Sequence, residues 1–198
     1  MSRLTIAAFM LIALIASACN VGTDTGSENE VQIPQGTATA PIATQNTVSG
    51  QTVTDTRVGF TFNYPAGWTL VAPGDVSDAT AYAYTMQSFE LTTGGSGGLP
   101  EGETKIDLYI NPSDTNASLA NIESRIQQED ADSDIFTVAT IEPTTLADGR
   151  QALLVRGSGM GGDFVSIYTI IKGYEVSGAV FGDEQHLLDI LNSIRETN

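Results

Sequence analysis

Between Val58 and Pro65 the chain reads VGFTFNYP, with Phe60, Phe62 and Tyr64 at every second position. Successive side chains of a strand point to opposite faces, so this spacing puts three aromatic rings on one side and predicts a half-buried β-strand. The pattern recurs. Strands are expected in WTLVAP (68–73), AYAYTMQSFEL (81–91), KIDLYINP (105–112), IFTVATIEPTTL (135–146), RQALLVRGS (150–158), FVSIYTIIKG (164–173) and YEVSGAVFG (174–182), with Gly-, Pro- and Asp-containing turns between them. Two segments break the alternation. SLANIESRIQQED spaces Leu119, Ile122 and Ile126 along one helical face, and DEQHLLDILNSIRETN does the same with Leu187, Leu188, Leu191 and Ile194 behind Asp183, a suitable N-cap. Short turns between the last four strands require an antiparallel arrangement. The expected fold class is therefore α+β, an antiparallel β-sheet of about six or more strands flanked by helices.

Ahead of this region the chain is of another kind. Arg3 is followed by an apolar run, Leu4 to Ile15, which is of signal-peptide length and shorter than the roughly 20 residues that span a bilayer. The run closes on the small residues Ala16, Ser17 and Ala18, and then comes Cys19, the chain's one cysteine. Ile15-Ala16-Ser17-Ala18-Cys19 resembles the lipobox of bacterial lipoproteins, with Ala16 where that group prefers Leu. The resemblance implies cleavage after residue 18 and a diacylglycerol on the Cys19 thiol. An unpaired exposed thiol would be a liability in an oxidising compartment, and acylation removes it. Residues 20–56 are rich in Thr, Gly, Ser, Gln, Asn, Ala and Pro and contain no aromatic residue, so they cannot bury enough apolar surface to offset their ordering entropy. The expected organisation is a signal peptide at 1–18, lipidated Cys19 with a flexible tether to 56, and a folded domain at 57–198. A tether of that length reaches about 35 Å. A chain shortened to begin near Thr54 is expected to melt as the longer one does.

Charge narrows the partners. The full chain carries 8 Lys and Arg against 24 Asp and Glu; loss of Arg3 with the signal peptide leaves 7 against 24, a net charge of −17. Such a surface repels nucleic acid and anionic headgroups, so no nucleic-acid partner is expected and the membrane is met through the lipid on Cys19. His186 is the only histidine and sits in the first turn of the closing helix. With one His and an acylated Cys, neither a Ser-His-Asp nor a Cys-His constellation can be built, nor a multi-His zinc site. No catalytic residue, cofactor or metal is assigned, and the chain is expected not to be an enzyme.

Two patterns imitate known loops. Gly157-Ser-Gly159-Met-Gly161-Gly162 satisfies G-x-G-x-x-G, but the β-branched DFVSIYTII follows where a phosphate-binding helix would have to start, so it reads as a hairpin loop. Asp130-Ala-Asp132-Ser-Asp134 opens like an EF-hand loop, yet Ile135 stands at the sixth position and Ile141 at the twelfth, where Gly and Glu are needed. It reads as acidic solvation after a helix. Trp68, the only tryptophan, follows the aromatic strand and is expected in the core, its truncation costing about 3 to 5 kcal/mol.

The run Phe60-Thr-Phe-Asn-Tyr64-Pro65-Ala-Gly67-Trp68, the middle amphipathic helix, the late strand meander and the closing ILNSIR resemble the PsbP-like superfamily over about Arg57 to Glu196. That resemblance implies an α/β/α sandwich and a binding or assembly role without shared catalytic residues. The expected protein is a lipid-anchored, extracytoplasmic lipoprotein of the cell membrane or outer membrane. Its monomeric domain would serve an unidentified protein or envelope component. The alternative is a small-ligand or cation-binding lipoprotein associated with a membrane transporter.

Overall fold

The computed structural model describes residues 50–74, 80–90, 99–112, 117–159 and 162–197. Cys19 and the segments read above as signal peptide and tether, up to residue 49, lie outside them. The elements run β1 Gly50–Asp55, β2 Phe60–Pro65, β3 Thr69–Val71, β4 Tyr82–Gln87, β5 Lys105–Asn111, α1 Leu119–Ala131, β6 Phe136–Thr145, β7 Gln151–Gly159, β8 Gly162–Ile171, β9 Tyr174–Phe181, α2 Glu184–Ser193 and β10 Arg195–Glu196.

Seven strands form one antiparallel sheet in the order β3-β4-β5-β9-β8-β7-β6. The chain leaves β5, crosses by α1 to the far edge, and returns as a β6-to-β9 meander that closes against β5. A small sheet, β1-β2-β10, stands apart from it. The main core fills the space between the two sheets and α2. There the alternating residues meet: Phe60, Phe62 and Tyr64 from β2, Tyr82, Tyr84 and Met86 from β4, Ile106, Leu108 and Ile110 from β5, and Leu187, Ile190, Leu191 and Ile194 from the closing segment. On the opposite face of the large sheet α1 lays Ile122 and Ile126 on Leu153 and Val155. The α+β class, with helices on both sides of an antiparallel sheet, is thus the observed one.

Local chemistry sets the boundaries. Ser118 caps α1, its Oγ accepting from the Asn121 amide at 3.2 Å, and Asp183 caps α2, its Oδ1 accepting from the Gln185 amide at 2.9 Å. Glu184 in the first turn of α2 suits the positive end of the helix dipole. Pro143 falls on β6, an edge strand, where a missing N–H costs no ladder bond. The β8–β9 turn closes Ile171 on Tyr174 with Lys172 and Gly173 both at positive φ, the geometry that matches strand twist in a two-residue hairpin.

Three expectations are corrected. Residues 50–55, read as the end of the tether, form β1 and pair along their length with β2, and Asp55 is 1% exposed. The segment carries one apolar residue, Val53, which packs on the core from the flank, and its attachment is otherwise made by backbone pairing and one buried carboxylate. Residues 50–55 therefore belong to the folded domain, ahead of residue 57. Arg195 and Glu196, read as the end of the last helix, leave it at Ile194 and pair with β2. Trp68 is only half-buried and flanks the core, lying edge-on to His186 with ring centroids 4.9 Å apart.

Candidate functional site

Two polar constellations stand out, one closed and one open. The closed one gathers at the end of β1. Asp55 accepts from Tyr82 Oη at 2.7 Å and Tyr84 Oη at 2.9 Å, and from the Arg57 amide at 2.9 Å and Nε at 3.3 Å. Arg57 Nη2 also reaches Tyr84 Oη at 3.0 Å, and its guanidinium lies 3.9 Å from the centre of the Tyr82 ring. Burial alone would raise the Asp55 pKa. The hydrogen bonds from Tyr82, Arg57 and Tyr84 outweigh it and hold the carboxyl below its ordinary value. Burial, then the bond to Asp55, pushes the Tyr82 phenol up strongly and that of Tyr84 to about 12. Every member is spent on another, so the cluster holds the fold together and offers a ligand little.

The open constellation is the other face of the large sheet. Helix α1 packs on β6, β7 and β8, while α2 packs on β2 and β9 from the opposite side. Alternation then decides what β4, β5, β9 and β8 present beside α1. Ile106, Leu108 and Ile110 point into the core, so Lys105, Asp107 and Tyr109 point out. Val176 and Val180 point in, so Glu175, Ser177 and Ala179 point out. The register sets Thr85, Asp107, Ala179 and Ser166 in one row and Ala83, Tyr109, Ser177 and Tyr168 in the next.

Charges at both ends of this face are internally matched. Asp107 accepts from Thr85 Oγ1 at 2.5 Å and Lys105 Nζ at 2.7 Å. Glu175, 5% exposed, takes Arg125 Nη2 of α1 at 2.6 Å, and Arg125 Nε lies 3.7 Å from Glu129. Burial raises the Glu129 pKa, with Arg125 opposing and Glu175 adding to it. Burial also pushes the Tyr109 and Tyr168 phenols up to about 12, so both stay protonated donors at neutral pH.

The residues singled out from sequence fall elsewhere. His186 lies in the first turn of α2 against Trp68. In the glycine-rich stretch Gly159 pairs with Gly162 across a two-residue hairpin, as its β-branched sequel requires, and residues 160 and 161 lie outside the description. Asp130 accepts from the Val138 amide at 2.7 Å, pinning the end of α1 to β6, and Asp132 accepts from Gln128 Nε2 at 2.7 Å. Among the described residues no group of three or more His, Cys, Asp or Glu is placed to hold a metal ion. Sequence reasoning missed both constellations. A signal for the first was available: Tyr82 and Tyr84 share a face with core residues, and two buried phenols need an acceptor. For the second it was the alternation of Lys105, Asp107 and Tyr109 with three core residues.

No protein-family model matches the chain, and no curated protein does. Solved structures similar to it include the solution structure of cyanobacterial PsbP (CyanoP) from Synechocystis sp. PCC 6803, at 16% identity and TM-score 0.45, covering 80% of this chain and 97% of that one. Protein PA94 of Pseudomonas aeruginosa, of unknown function, is similar at 17% identity and TM-score 0.35, over 62% of this chain and 87% of its own. A crystal structure from Bacteroides thetaiotaomicron VPI-5482 is similar at 11% identity and TM-score 0.35, over 75% of this chain and 49% of that one. Likeness at this level concerns the path of the chain and not its activity.

Proposed function

We propose that the chain is a lipid-anchored extracytoplasmic protein whose folded domain is a non-catalytic binding module. Its binding surface is the polar face of β4, β5, β9 and β8 beside α1. The observation that carries the reading is that face itself, a tract of hydroxyl groups and matched charges on β4, β5 and β9 beside the β6–β8 strands that α1 covers. The Ile15-Ala16-Ser17-Ala18-Cys19 sequence supports the anchor, and the acidic surface supports a domain that stands clear of anionic lipid. The cation-carrier alternative draws no support from Asp130 and Asp132, whose carboxylates are engaged within the fold.

Two measurements test the reading. Metabolic labelling with a fatty-acid probe should mark the wild type and not Cys19→Ser, which should leave the membrane or persist as an uncleaved precursor. Cys19→Ser protein that resists carbonate extraction would refute the anchor. A photo-crosslinker at Tyr109 in native membranes should give a discrete product, whereas one at exposed Glu142 of β6 should not. Equal crosslinking from both positions would refute the surface.

A further inference from the structure

We infer that the outer edge of β1 pairs with the same edge of a second copy of the chain, strand against antiparallel strand, about a two-fold axis at Thr52. The monomer expected from the sequence is then one half of a symmetric pair. An edge strand offers unpaired backbone groups to any strand that reaches it, so the way each edge is treated is informative. Among the described residues the edges of the two sheets are β1, β10, β3 and β6. β3 and β10 are three and two residues long, too short to hold a partner. β6 is long but blocked. The Phe136 and Val138 amides donate to Ser133 Oγ at 3.1 Å and Asp130 Oδ1 at 2.7 Å, and Pro143 has no amide to give. β1 has no such guard.

The backbone of β1 faces outward at alternate residues, and a bond of β2 shows which. The Asn63 amide donates to Ser193 Oγ at 2.8 Å, on the side away from β1. Its antiparallel partner Thr52 therefore turns its own backbone groups away from β2. The period of two adds Gly50 and Thr54, and opposite Gly50 stands Pro65, which has no amide for a ladder bond. Gly50, Thr52 and Thr54 are exposed, and no strand among the described residues pairs with them on that side.

This edge complements itself. With Thr52 opposite Thr52 of the second copy, Gly50 falls opposite Thr54, and each pair exchanges two bonds, so the outward donors and acceptors are all used. Threonine opposite threonine is a favourable cross-strand pair. Charge points the same way. The chain carries 8 Lys and Arg against 24 Asp and Glu, yet Val31 to Thr54 contains no charged residue, and Asp55 at the strand's end is turned inward to Arg57, Tyr82 and Tyr84. Two copies that repel elsewhere meet at β1 without opposing like charges. A ladder with little beside it buries less than the roughly 1,200 Å² of a stable complex, so the pairing is reversible.

The test is disulfide trapping in the purified full chain. Residues of a hydrogen-bonded antiparallel pair have Cα atoms about 5.5 Å apart, within disulfide reach, whereas Thr54 would lie more than about 13 Å from its own counterpart, four residues out of register. Under mild oxidation Thr52→Cys should form a dimer above the level of the wild-type chain, whose one thiol is at Cys19, and in at least tenfold greater yield than Thr54→Cys or, on the blocked edge, Thr140→Cys. Thr54→Pro added to Thr52→Cys removes an outward N–H and leaves the β1–β2 ladder intact; it should lower the yield at least tenfold with the melting temperature held within a few degrees. The inference falls if Thr52→Cys stays monomeric, if the three single variants crosslink alike, or if Thr54→Pro leaves the yield unchanged. In native membranes, Thr52→Cys trapped to a chain of another size instead of to itself would give the edge to a foreign strand and overturn the second copy. None of these outcomes bears on the Tyr109 crosslink, which tests the polar face.

Discussion

Tyr82 Oη stands 2.7 Å from Asp55 Oδ2, and through that bond β1 is fastened to the large sheet. The bond joins two sheets. Asp55 ends β1, Tyr82 begins β4, and Tyr84 and Arg57 complete a network in which each polar group is satisfied. Removing one partner of a buried pair costs more than the pair contributes, because the remaining group is stranded.

Asp55→Asn should therefore lower stability by about 3 to 5 kcal/mol at neutral pH. The loss should depend on pH with a definite sign. The folded carboxyl is held below its ordinary value, so its contribution is complete above the unfolded value of about 3.9 and is lost as pH falls through the lower folded value. Urea titrations at pH 7 and pH 3 measure it. The gap between wild type and Asp55→Asn should narrow in acid; an equal gap at both would show that Asp55 does not act as an anion.

A chain that begins at Thr56 should melt at least roughly 10 °C below one that begins at Gly50, since it loses both the β1–β2 ladder and the acceptor of two buried phenols. Differential scanning calorimetry of the two chains decides it. Equal melting temperatures would mean that β1 is an ornament on a self-sufficient domain.

Gly178 is the contact between β9 and α2. A Cβ there would lie 2.2 Å from Leu187 Cδ1, inside a fully packed core. Gly178→Ala should cost about 1 to 3 kcal/mol by overpacking, and Leu187→Ala about 2 to 5 kcal/mol by the cavity it leaves. The double variant should cost less than the sum, because the new methyl enters the new space. Strict additivity in chemical denaturation would show that the two positions do not share it.

What could be read in advance follows the range of the forces involved. Phe60, Phe62 and Tyr64 declare their strand, and Leu187, Leu188 and Leu191 their helix, because burial on one side imposes a period that needs no knowledge of the partner. Asp55 declares nothing. Its acceptors' partners arrive 27 and 29 residues later, and a carboxylate in a Thr-rich stretch looks solvated until the strands are registered. The same holds for the polar face, where Tyr109, Ser177 and Tyr168 become neighbours only when β5 pairs with β9 across the intervening helix and meander. Trp68 misled for a related reason: a lone large aromatic beside a core strand reads as interior, but β2 has already ended at Pro65 and Trp68 closes the flank against His186.

That flank yields a last prediction. Trp68 is half-buried, packs on the core from outside and meets His186 edge-on at 4.9 Å with the planes 72° apart. Such a residue contributes part of its transfer free energy and one aromatic contact, so Trp68→Ala should cost about 1 to 2 kcal/mol and leave a folded, cooperative domain. His186→Ala removes the facing ring and admits water to the indole. Because Trp68 is the only tryptophan in the chain, its fluorescence reports that event without interference. A red-shifted emission with a melting temperature lowered by a few degrees is expected for His186→Ala, and a cooperative circular-dichroism melt for Trp68→Ala. A Trp68→Ala chain already unfolded at room temperature would return the tryptophan to the centre of the core and displace the flanking role argued for it.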